Sequence, residues 1–76
     1  MELGEEHDIV EVPIQNSWIG KSIGQIDIRK RYNINIMALK RDGSMNMNIS
    51  SDTVLTEDAT MFVLGNIRDL QRCFHI

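Results

Sequence analysis

Apolar residues alternate with polar ones along three stretches of this chain and recur at helical spacing along two others, and the elements follow from those patterns. In "DIVEVPI", Val10, Val12 and Ile14 are separated by Glu11 and Pro13, the period-two signature of a half-buried strand. Pro13 has no N–H to give to a ladder, which predicts a sheet edge or the strand's end. "QNSWIGK" follows as a loop with Asn16, Ser17 and Gly20 as turn formers. Ser22 with Gln25 three residues on makes a capping box, and the spacing predicts a helix from there to about Tyr32. At roughly 100° per residue, Ile23 and Ile26 share one face while Ile28 and Tyr32 lie nearly opposite. Such a helix covers its own sheet with one side and a second subunit, a ligand, or both with the other.

"INIMALK" predicts a strand with Ile34, Ile36 and Ala38 on one face, Met37 and Leu39 on the other, and Asn35 as a polar intruder. Asp42-Gly43 predicts a hairpin, because both residues tolerate positive φ. The return, "MNMNIS", alternates Met45, Met47 and Ile49 inward against Asn46 and Asn48. "SDTVLTEDAT" reads as a loop with Val54 and Leu55 tucked against the core, and "MFVLG" as a central strand. Asn66 caps a closing helix with Ile67, Leu70 and Phe74 at helical spacing and Asp69 favourably placed in its first turn. The order is β-α-β-β-β-α: an α+β domain of two layers, helices on a small, mainly antiparallel sheet.

Seventy-six residues, 42% hydrophobic and 25% charged, make one small ordered domain whose core gives only modest stability alone. A dimer or an attached neighbouring domain is therefore expected. No apolar run approaches the roughly 20 residues that span a bilayer, and "MELGEEHD" is acidic where a signal peptide is basic and then apolar. The single Cys73 has no intrachain partner, so a reducing cytoplasm is the expected compartment. The net charge of −3 hides a basic cluster at Arg29, Lys30 and Arg31. With Asp27 just before it, an acidic N-terminus and a negative total, that cluster does not suit a long polyanion, and no nucleic-acid partner is expected.

Catalysis finds no constellation. His7 and His75 sit at opposite ends, Cys73 lies among Leu70 and Phe74 as an apolar filler, and neither a metal-ligand spacing nor a glycine-rich phosphate loop occurs. The expectation is no enzyme, no metal and no resident cofactor. What remains is Asp27, Arg29, Arg31 and Asn35 beside four isoleucines. One account makes Asp27 and Arg31 an i,i+4 pair on a solvated helix face. The other uses Ile23, Ile28, Ile34 and Ile36 as flat walls for an aromatic ring, Arg29 as a phosphate donor and Asn35 as a partner for a base edge. Composition leaves both open.

Three segments, "IVEVPIQNSWIGKSI", "IDIRKRYNINIMALKRDG" and "DTVLTEDATMFVLG", make the chain similar to the TrkA-C domain, the C-terminal domain of RCK regulators of potassium channels and transporters. The resemblance implies a TrkA-C domain over residues 9–76, with 1–8 a tail or linker from a missing Rossmann-like lobe. It implies a cytosolic regulatory module that sits at the inner face of the membrane through a potassium channel or transporter subunit, without inserting itself. It further implies a homodimer that binds cyclic di-AMP on its two-fold axis and modulates, in the inhibitory direction, potassium uptake. Carried over residue by residue, the ligand site is Ile23, Asp27, Ile28, Arg29, Ile34, Asn35 and Ile36. Ser51 stands where many members have a proline, and Ala59 where a glycine is common. The competing expectation is a purely structural coupling domain of a cation transporter or antiporter, with no nucleotide ligand.

Overall fold

The structure, a computed structural model, describes residues 6–76; the first five residues of the expected tail lie outside the described part. The elements are β1 (His7–Pro13), α1 (Ile23–Ile26), α2 (Ile28–Tyr32), β2 (Ile34–Arg41), β3 (Ser44–Asn46), β4 (Thr60–Asn66) and α3 (Ile67–Phe74). They form one four-stranded sheet in the order β1-β4-β2-β3, and every pairing is antiparallel. The α+β architecture expected from the patterning is the architecture found. "MFVLG" lies in the central strand β4, and Pro13 closes the edge strand β1.

One face of the sheet carries the core. Val12, Ile34, Leu39, Met61 and Val63 meet Ile26, Ile28 and Leu70 of the helices there, with Trp18 and Leu55 from the loops. Gly65 also faces this layer: a Cβ on it would lie 3.2 Å from Ile34 Cγ1 and 3.5 Å from Leu70 Cδ2. The local signals work as their chemistry requires. Ser22 and Gln25 complete a reciprocal capping box, the Asn66 side chain accepts from Arg68 N at 2.8 Å, and Asp42 and Gly43 turn with φ of 52° and 76°.

Four expectations fail. The helix expected to run unbroken from Ser22 is two short helices, because Asp27 adopts the left-handed conformation (φ 57°) between them. Aspartate visits that region more readily than most residues. The break turns the second helix, so Ile28 packs into the same core as Ile26 instead of facing away. It also removes Asp27 from the helix surface. The ion pairs among the described residues are Arg41–Asp58 and Arg72–Asp69, and Asp27 meets Arg31 only through the backbone, Arg31 N donating to Asp27 O at 2.9 Å.

In β2 the register shifts between Ile36 and Ala38, a bulge with Met37 as the extra residue. Beyond it Leu39 pairs with core-facing Met61, and Ala38 pairs with Phe62 on the other face, the reverse of strict alternation. β3 is shorter than expected, ending at Asn46. There the Asn46 side chain accepts from Asn48 N at 3.0 Å, a local turn that competes with continued pairing. Met45 and Met47 are therefore exposed, Met47 at 71%, and only Ile49 of the three packs against the core. Val54, expected inside with Leu55, lies outside: Leu55 is fully buried and Val54 is 52% exposed.

Candidate functional site

Chain order brings α1, α2 and the first half of β2 round one cavity of about 360 Å³. Six of the seven expected site residues line it: Ile23, Ile28, Arg29, Ile34, Asn35 and Ile36. Asp27, the seventh, does not; it occupies the left-handed junction behind Ile28. Ile34, Asn35 and Ile36 are consecutive strand residues whose side chains leave on alternate faces, so the cavity lies across an edge of β2. That edge is open here because β3 pairs only with Leu39–Arg41.

The remaining wall is Ile49, Ser50 and Ser51; Ile49 and Ser50 were not expected in the site, and Ser51 was expected only at the pocket edge, in place of the family's proline. A network of short-range bonds shapes it. Ser50 N donates to Thr53 Oγ1 at 2.9 Å, and Asp52 N to Ser50 Oγ at 3.3 Å. The same segment is hung on α1, with Ile23 N donating to Thr53 O at 2.9 Å and Gly24 N to Ser51 O at 2.8 Å. A glycine inside a helix is the signal that would have revealed the contact, since it marks close backbone approach. A Cβ at Gly24 would stand 3.0 Å from both Ser51 Cβ and Ser51 O. Gly24→Ala is therefore expected to displace the Ser50–Ser51 wall, while the melting temperature falls only a few degrees. Amide hydrogen exchange over residues 49–53 beside a thermal melt measures both.

Charge at the rim comes from one group. Arg29 is exposed, and its Nη2 donates to Asn35 Oδ1 at 2.7 Å. That bond parks a planar cation beside the isoleucine walls with four of its five N–H donors still to be used. Neither ion pair among the described residues involves it. Perturbed titrations lie elsewhere: burial pushes the Cys73 thiol up, and the Thr56 hydroxyl, with Arg41 as a lesser influence, holds the Asp58 carboxyl below the usual range. The cavity offers flat aliphatic surface, a guanidinium, an amide and two hydroxyls, which is the equipment of recognition.

The model of the TrkA-C domain matches residues 9–75. The chain belongs to the TrkA-C domain family. Among curated proteins this TrkA-C domain is 32% identical over 72 residues to the Ktr system potassium uptake protein C of Bacillus subtilis (strain 168), covering 95% of the present chain and 33% of that protein. The chain thus spans about a third of the length of the curated relatives it matches. Among solved structures it superposes with a TM-score of 0.84 and 32% identity on the RCK C domain of the potassium transport protein KtrA in complex with cyclic diadenosine monophosphate, over 93% of this chain and 84% of that one. The RCK_C domain dimer of S. agalactiae BusR, also in complex with cyclic di-AMP, superposes at 0.69 with 18% identity over 92% and 96%. That more distant likeness speaks to the fold alone.

Proposed function

We propose that this TrkA-C domain is the ligand-sensing regulatory part of a potassium transport system, and that two copies bind one cyclic di-AMP across their two-fold axis through the isoleucine cavity. The observation that carries the reading is Arg29, held by Asn35 at the lip of that cavity. The 32%-identical KtrA domain, solved with this nucleotide, supports the choice of ligand.

The physical fit is direct. At about 360 Å³ one cavity is near the lower end of small-molecule pockets, about 300–1,000 Å³, and its lining carries a single guanidinium. A ligand with two identical bases and two phosphates calls for two copies of the same half-site, which an isologous dimer supplies. Each isoleucine wall takes a purine face, each Arg29 a phosphate, and each Asn35 a base edge. Asp27, away from the lining, serves by fixing the turn that aims Arg29.

Regulation then follows from differential affinity. A ligand touching both copies favours the relative orientation in which both half-sites close on it, and it biases whatever is attached by that difference. In the parent protein the domain would act from the cytoplasmic face, through the membrane subunit, to restrain potassium uptake. Light scattering with and without nucleotide tests the assembly. The expected result is a dimer in both conditions, with one nucleotide bound per two chains. A dimer that binds none would leave the structural coupling role.

A further inference from the structure

Arg29 stands between two concavities. The isoleucine cavity lies on one side. On the other is a second hollow of about 310 Å³ that shares Arg29, Ile34 and Asn35 and is otherwise bordered by His7, Asn33 and Asn66 over Leu64 and Gly65. Register explains the grouping. His7 pairs with Asn66, and Asn35 pairs with Leu64. Asn66 and Leu64 are two apart in β4, so these four side chains share the sheet face opposite the helices. Arg29 comes from the helix layer and reaches Asn35 round the open edge of β2.

The donors in this hollow are unevenly committed. The Asn66 side chain accepts from Arg68 N and donates to Glu6 Oε1 at 3.2 Å. Asn33 donates to Asp69 Oδ2 at 3.2 Å. Each amide nitrogen keeps a second hydrogen. The His7 ring makes no hydrogen bond or ion pair among the described residues, and the guanidinium of Arg29 uses one donor. The hollow is therefore rich in N–H groups without acceptors, while two carboxylates, Glu6 and Asp69, stand just behind its amides. Arg29 is the one formal cation in the lining, the group that would pair with an anion, while Glu6 and Asp69 are each engaged by an amide N–H.

We infer that this second hollow seats the phosphodiester of a nucleotide ligand, with His7 as its outer hydrogen-bond donor, so that base and phosphate straddle Arg29. The assignment rests on the nucleotide reading above and adds to it a ligand-binding residue from β1.

Calorimetric titration of the 76-residue chain with cyclic di-AMP decides the matter, using His7→Leu, which keeps bulk and loses the donor, and His7→Gln, which keeps an N–H. His7→Leu is expected to bind about three- to tenfold more weakly, the effect of losing a hydrogen bond, and His7→Gln to recover most of the loss. Leu and Gln variants that both bind like the parent chain, or that weaken equally, would overturn the assignment. If Arg29→Ala still abolishes or cripples binding in that case, the nucleotide reading survives without the His7 subsite. If the parent chain itself takes up no nucleotide, the reading fails first and the subsite with it.

Discussion

Arg29→Ala is expected to weaken cyclic di-AMP binding by roughly ten- to a hundredfold while the free domain melts within a few degrees of the parent. The two halves of that result have separate causes. A hydrogen bond to a charged group contributes about 1.5–3 kcal/mol, and each 1.4 kcal/mol is about tenfold in affinity. In the unliganded domain Arg29 is exposed and gives up only one exposed bond, to Asn35. Exposed substitutions of that kind stay within about 0.5 kcal/mol, or a few degrees for a domain of this size. Arg29→Lys is expected to recover only part of the affinity, because an ammonium lacks the planar fork that bonds Asn35 and a phosphate together. Equal affinity of Arg29→Ala and parent chain in calorimetry would remove Arg29 from the site.

Leu55→Ala is expected to be the most damaging single change in the core. Leu55 has no exposed surface, although it lies in no strand or helix. The backbone clamps it in place, with Gly20 N donating to Leu55 O at 2.8 Å and Leu55 N to Lys21 O at 2.9 Å, so the chain around it cannot collapse easily into a cavity. A buried leucine cut to alanine costs about 2–5 kcal/mol, against a total of about 5–15 kcal/mol for ordinary domains. A 76-residue chain sits at the low end of that range. The expected fall in melting temperature is about 10 °C or more. Val54→Ala, one residue earlier at 52% exposure, is the internal control and is expected to shift the melt by a few degrees at most. Thermal circular dichroism of the pair checks it. Similar melts for the two variants would contradict the packing described for this loop.

The contrast between neighbours Val54 and Leu55 also shows where sequence reading stops. Elements with an unambiguous period were legible: Val10 and Val12 against Glu11 mark β1, and the caps at Ser22 and Asn66 mark two helix starts where the structure has them. "INIMALK" was legible as a strand but not in its phase. The run from Ile36 to Leu39 is wholly apolar, so a bulge at Met37 can exchange the faces of Ala38 and Leu39 without disturbing any pattern. The left-handed Asp27 carries no sequence mark either, since aspartate is as acceptable in a turn as at a helix surface. "VLT" is irregular backbone, where no periodicity exists to tell which apolar residue turns inward. Met45 and Met47 alternate as core residues do, but Met45 lies in a short edge strand and Met47 just past its end, and neither is buried.

Much of the candidate site was readable for a different reason. Six isoleucine, arginine and asparagine positions on α1, α2 and β2 are near in sequence, and a short turn at Asn33 (φ 59°) folds them together. The missing wall, Ile49 to Ser51, arrives from a distant stretch of chain, tied to the rest by the packing of Ile49 on the core and the close contact of Ser51 with Gly24. His7 belongs to the same class. Taken alone it is a residue near a terminus, and only its register against Asn66 puts it beside Arg29.

Isothermal titration of the purified chain with cyclic di-AMP, at a protein concentration where light scattering finds a dimer, measures the central claim most directly. The account predicts a saturable heat that ends at one nucleotide for every two chains and that Arg29→Ala greatly weakens. A flat titrogram from folded, dimeric protein would contradict it.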